Sequence, residues 1–93
     1  MTYEVIWTSA FKKTYKLAQK RGLPMQELKD VVEKLRTDQV LEERYQDHEL
    51  SGNLKGNREL HIRPNWLLIY RKNKNTVTLT LVKTGTHSEL FGL

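Results

Sequence analysis

Apolar and polar positions change period twice along the chain. From Tyr3 to Trp7 they alternate, with Tyr3, Val5 and Trp7 on one side and Glu4 and Ile6 on the other, which predicts a short strand. Thr8 or Ser9 can cap a helix there, because a hydroxyl satisfies free backbone N–H groups. Ala10, Phe11, Thr14, Leu17 and Ala18 then recur at helical spacing, while Lys12, Lys13, Lys16 and Lys20 fall largely off that stripe. Gly22 predicts a stop. Pro24 suits the first turn of a second helix, whose stripe is Met25, Leu28, Val31, Val32 and Leu35. The two helices are expected to form an antiparallel hairpin around Gly22-Leu23. Residues Thr37 to Gly56 hold no sustained period and are expected to be mostly loop, with a helical turn near Leu41 to Arg44.

The second half reads with period two. Leu60 and Ile62 alternate with Glu59, His61 and Arg63, and Pro64-Asn65 is a turn dipeptide because proline presets the backbone. Trp66 to Lys72 is an apolar strand, Asn73-Lys74-Asn75 a second turn, and Thr76 to Lys83 alternates with Val77, Leu79 and Leu81 facing one way. Trp7 and Trp66 are expected to pack in the core or on the sheet. The expected class is α+β: an N-terminal strand, a two-helix hairpin, then an antiparallel meander, in one domain over residues 1–93.

Composition narrows the chemistry. The 93 residues include no cysteine, which removes a disulfide framework, a thiolate zinc site and a cysteine nucleophile. No apolar run approaches the ~20 residues of a membrane span. The opening Met1-Thr2-Tyr3-Glu4 lacks the basic-then-apolar pattern of a signal peptide, so a cytoplasmic protein is expected. A net charge of +5 favours a polyanion such as nucleic acid, and an acidic protein partner fits equally well. Lys12, Lys13, Lys16, Lys20 and Arg21 form the main basic run, either a track for a phosphate backbone or a solvated helix face.

All three histidines lie in the second half: His48 in the long loop, His61 on the polar side of its strand, His87 after the last strand. No two sit at metal-motif spacing, although three separated histidines can still meet in space, so zinc stays open. Together they suit general acid–base work near neutral pH. RNA cleavage needs little more: the ribose 2′-hydroxyl attacks the adjacent phosphate, a base takes its proton, an acid protonates the leaving 5′-oxygen, and a cation stabilises the added charge. Lys55, Arg58 and Arg63 lie near His61 in sequence and are candidate cations, or ordinary solvated charge. Phe91 is a candidate to stack on an unstacked base, or pins the tail to the core.

Several segments resemble one family. Asp47-His48-Glu49-Leu50-Ser51-Gly52, Lys55-Gly56, Arg58-Glu59-Leu60-His61-Ile62 and Trp66-Leu67-Leu68-Ile69-Tyr70 are similar to the central motif of the YafQ branch of the RelE toxin superfamily. Thr84-Gly85-Thr86-His87-Ser88-Glu89-Leu90-Phe91-Gly92 resembles that branch's C-terminal signature, and Lys16-Leu17-Ala18-Gln19-Lys20-Arg21 a first-helix segment. The resemblance covers nearly the whole chain. It implies a RelE-like α+β fold and a toxin of a type II toxin–antitoxin module, blocked by a cognate antitoxin. It further implies an endoribonuclease that enters the ribosomal A site and cuts translated mRNA; because RNA brings its own nucleophile, no metal or cofactor is expected. By resemblance the site holds His48, His61, His87 and Phe91. His48 and His61 are candidates for activating the 2′-hydroxyl and orienting the phosphate, and His87 is a candidate acid. Glu59 and Asn65 stand where the branch commonly has aspartates. Glu59 keeps the charge on a longer arm. Asn65 loses it, and with it the capacity to act as a base. Two other readings compete: a ParE-like inhibitor that binds DNA gyrase and cuts nothing, and a binding module that has lost catalysis.

Overall fold

Five strands form one sheet in the order β1-β5-β4-β3-β2, so the first strand of the chain lies beside the last. The computed structural model describes residues 1–92; Leu93, which closes the predicted domain, lies outside the described residues. The elements are β1 (Glu4–Trp7), α1 (Ser9–Lys20), α2 (Met25–Arg36), β2 (His48–Glu49), β3 (Arg58–Arg63), β4 (Trp66–Asn73), β5 (Thr78–Gly85) and α3 (His87–Phe91). No helix among them is long and apolar enough to cross a membrane.

The α+β reading holds, and α1 begins and ends where local chemistry directs. The Thr8 hydroxyl accepts from the Phe11 N–H at 3.0 Å and starts α1. Gly22, at φ +73°, ends it: the N–H groups of Gly22 and Leu23 return to the carbonyls of Gln19 and Ala18. The helices supply Phe11, Ala18, Leu28, Val31 and Leu35 to a core completed by Tyr3, Tyr45, Leu60, Ile62, Trp66, Leu68, Tyr70, Leu79 and Leu81. Trp66 is buried, whereas Trp7 is half exposed and packs edge-on against Phe11, 4.9 Å between centroids.

Three features depart from the expectations. The segment from Thr37 to Gly56 holds the expected helical turn, a 3₁₀ turn at Glu43–Tyr45, but adds two elements the pattern did not predict, the short strand β2 and a second 3₁₀ turn at Gly52–Leu54. The sheet is mixed, because β1 pairs parallel with β5 while β2 to β5 run antiparallel to their neighbours. The last strand starts at Thr78, after Val77 at φ +53°, and its alternation breaks: the β4–β5 register passes from Tyr70↔Leu81 to Ile69↔Lys83, leaving Val82 as a bulge.

Candidate active site

Alternation along β3 sorts its side chains onto the two faces of the sheet. Leu60 and Ile62 join the core under the helices, while Glu59 and His61 point to the other, open face. Directly paired residues share a face. One row therefore runs His48, Glu59, Ile69, Lys83 across β2, β3, β4 and β5, and a second runs His61, Leu67, Gly85. Leu67 and Ile69 are 0% and 4% exposed although they stand outside the core cluster beneath the helices.

Glu59 is the hub of this face. Its side chain is 4% exposed, and one carboxylate oxygen, Oε1, lies 3.6 Å from His48 Nε2, 3.8 Å from His61 Nε2 and 3.7 Å from His87 Nε2. Three imidazoles from three separate elements thus present the same nitrogen to one carboxylate. A buried carboxylate needs a counter-charge, and an imidazolium at any of the three positions supplies one.

Backbone carbonyls orient two of the rings. His48 Nδ1 lies 2.8 Å from the Gln46 carbonyl. A carbonyl only accepts, so Nδ1 carries the proton and, in the neutral ring, Nε2 is left with its lone pair on the Glu59 side. His61 Nδ1 makes a longer approach, 3.4 Å, to the Pro64 carbonyl. His87 is the first residue of α3, which is closed by a capping box: the Thr86 hydroxyl accepts from the Glu89 N–H and Glu89 Oε1 accepts from the Thr86 N–H. Arg21 at the end of α1 pairs with the same Glu89. The Arg21 hydrogen bond, helped by the Thr86 N–H, holds the Glu89 carboxyl down to about 2. The helix folds back over Gly85, where a Cβ would come 3.1 Å from Glu89 Oε1. Phe91 lies against His87 with ring centroids 5.6 Å apart, and His87 is 6.0 Å from the His61 ring.

The structure thus brings together His48, Glu59, His61, His87 and Phe91. Asn65 sits in the β3–β4 turn and lines a shallow groove with Thr86, His87 and Ser88, beside the carboxylate cluster. Lys55 is exposed after the second 3₁₀ turn. Two of the candidate cations are engaged elsewhere. Arg58 shares the helix-side face with its partner Tyr70 and pairs with Asp47 at 2.9 Å. Arg63, beyond a register shift after His61, pairs with Glu27 of α2. Lys16 and Lys20 are exposed on α1, which packs on β5 from the helix-covered side. One cation that the sequence reading passed over is Lys83. Simple alternation groups it with Leu79 and Leu81, but the bulge at Val82 turns it into the His48–Glu59 row, two strand spacings or ~10 Å from Glu59.

These features define a small α+β protein with three histidines gathered around one buried carboxylate on the sheet face away from the helices. A family model for the bacterial toxin of type II toxin–antitoxin systems, YafQ, matches residues 3–92, and the chain belongs to that YafQ toxin family. It is 38% identical over 90 residues to the mRNA interferase toxin YafQ of Escherichia coli K12, covering 96% of each chain. The toxin in the crystal structure of the E. coli DinJ–YafQ toxin–antitoxin complex superposes with a TM-score of 0.90 at 36% identity, over 99% of this chain and 100% of that one. The metal-bound toxin from Helicobacter pylori gives 0.91 at 42% identity, over 98% and 100%.

That last relative raises the question of a metal here. Imidazole and carboxylate donors suit zinc or copper. As placed, however, no group of three or more such side chains among the described residues converges to hold an ion.

Proposed function

We propose that the protein is a ribosome-dependent endoribonuclease that cuts mRNA in the A site by 2′-hydroxyl attack, with side chains alone moving the protons. The observation that carries this reading is the approach of three imidazole Nε2 atoms to within 3.6–3.8 Å of one buried carboxylate oxygen. General acid–base cleavage needs a base and an acid held on either side of a phosphate, and such groups contribute about 10²–10⁴-fold each. His48, oriented by the Gln46 carbonyl, offers a lone pair to the 2′-hydroxyl. Glu59 then faces the imidazolium so formed. His87, exposed like His48, donates to the leaving 5′-oxygen, and His61 orients the phosphate between them. Lys83 supplies positive charge from the neighbouring strand, and Phe91 offers a base an aromatic face beside His87.

A site this open holds RNA weakly, so the ribosome positions the substrate and supplies the in-line geometry. The setting is the bacterial cytoplasm, where a cognate antitoxin covers the protein until it is needed. The E. coli relative's complex with DinJ supports that partner.

Cleavage mapping on programmed ribosomes, with wild type beside His87→Ala, tests the reading. Cuts within the A-site codon from wild type alone are expected. Folded wild type that leaves ribosome-bound mRNA intact would overturn it, and gyrase inhibition would be the activity to assay next.

A further inference from the structure

His48 stands on a strand two residues long, at the edge of the sheet. Beyond its two ladder pairs, the Leu50 N–H to the Asn57 carbonyl at 2.9 Å is the next backbone tie to β3. So short an edge strand frays readily, because few hydrogen bonds oppose opening and water competes for each. On the other side of the same backbone, however, the preceding residue is firmly held. Successive residues of an extended chain point to opposite faces. His48 therefore faces Glu59, while Asp47 reaches under the sheet to the helix side.

There Asp47 meets two residues that are themselves cross-strand partners, Arg58 and Tyr70. The Tyr70 hydroxyl donates to Asp47 Oδ1 across 23 residues of chain. Arg58 donates from Nη2 to Oδ2 at 2.9 Å, and from Nε at 3.3 Å. Tyr70 is 1% exposed, among the largest fully buried side chains of the core. Burial, and then the Asp47 hydrogen bond, push its hydroxyl well above the ordinary tyrosine value, so it remains a donor throughout the working range. One residue before Asp47, Gln46 takes a left-handed conformation at φ +46°, which presents its carbonyl to His48 Nδ1. The clamp on Asp47 and the carbonyl on His48 are consecutive parts of one short segment.

We propose that Asp47, gripped by Tyr70 and Arg58 on the buried face, is a positioning residue for the cleavage reaction: it fixes the segment whose next side chain is His48, and so sets that imidazole's orientation against Glu59. The inference rests on the nuclease reading for its kinetic consequence, though not for its structural one. The chemistry also explains why Arg58, near the histidines in sequence, is not available to phosphate: its guanidinium is bound to the carboxylate that anchors the base.

The test uses purified Asp47→Asn and Tyr70→Phe, the second of which keeps the ring in the core and removes only the donor. The first readout is the nitrogen NMR signature of the three histidine rings across pH. In both variants His48 is expected to lose its fixed Nδ1–H tautomer, while the ring-nitrogen signals of His61 and His87 keep their wild-type pattern. The second readout is cleavage on programmed ribosomes, where kcat should fall about 10–100-fold with KM within threefold, the scale of a misplaced group. Adding His48→Ala to either variant should cost no more than His48→Ala alone, because the clamp acts through that ring. An unchanged His48 signature in both variants, or a loss of activity that adds fully to that of His48→Ala, overturns the proposal. If wild type does not cleave at all, the nuclease reading fails and the His48 signature still decides the positioning role. Should one variant fail to give a cooperative melt, the other carries the decision.

Discussion

The two faces of the sheet bury side chains equally well and for different ends. Under the helices, Leu60, Leu68, Tyr70, Leu79 and Leu81 meet Phe11, Leu28 and Val31, and burial there is apolar against apolar. On the open face, Leu67 and Ile69 are as inaccessible as any core residue, yet their direct cross-strand partners on that face are His61 and Glu59. A carboxylate is 3% exposed there, in a row with a lysine. The first face is where the fold draws its free energy. The second gives some of it back, because desolvating a charge is costly and its partners are imidazoles, which carry charge only when protonated.

That contrast can be broken most sharply at Glu59. Glu59→Gln preserves shape and removes charge. We expect cleavage to fall about 10²–10⁴-fold, while the melting temperature holds or rises, because the buried charge has gone. Ribosome cleavage assays and thermal melts of the same preparation would show it, and a large loss of stability would contradict the division of labour. Leu68→Ala, on the opposite face of β4, should do the reverse. A loss of about 2–5 kcal/mol is expected from denaturant unfolding, with kcat per folded molecule near wild type. A smaller effect is expected from Gly85→Ala. The added methyl meets the Glu89 carboxyl that caps α3 and is itself strained at φ +156°, so kcat should drop about tenfold and the melting temperature should fall modestly as well. The smallest is an acid effect. The Glu89 carboxyl titrates near 2 rather than at the ordinary 4.5, so its contribution to holding α3 is complete above pH 4.5 and is lost as pH falls through about 2. Carboxyl NMR of Glu89 should show that midpoint, and Arg21→Ala should move it upward.

Much of this layout is legible in the chain, and the illegible parts have specific causes. Both helices, with the Thr8 cap and the Gly22 stop, follow from period and local chemistry alone, as does the β3–β4–β5 meander. The parallel pairing of β1 with β5 joins residues 74 apart, and no local pattern encodes it. The two-residue β2 is too short to show a period. Arg58 illustrates a signal that was present: it shares parity with Leu60, which already assigns it to the helix side, though closeness to His61 in sequence suggests otherwise. Arg63 and Lys83 have no such signal. A shift in register beyond His61 and a bulge at Val82 exchange their faces, and both depend on how neighbouring strands fit. The histidines are visible as candidates, but their common focus on Glu59 exists only once three elements are assembled.

The position of the last strand also bears on how the molecule is made. Chains emerge from the N-terminus at about 5–20 residues per second, and β5 with α3 comes last. Until it arrives, β1 has no neighbour in the sheet, Thr8 cannot reach the carbonyls of Leu81 and Val82, and His87 has not been translated. A growing copy therefore holds no assembled cluster until β5 and α3 have been made. On the nuclease reading proposed above, the ribosome that builds the chain meets no finished site on it before β5 and α3 have emerged.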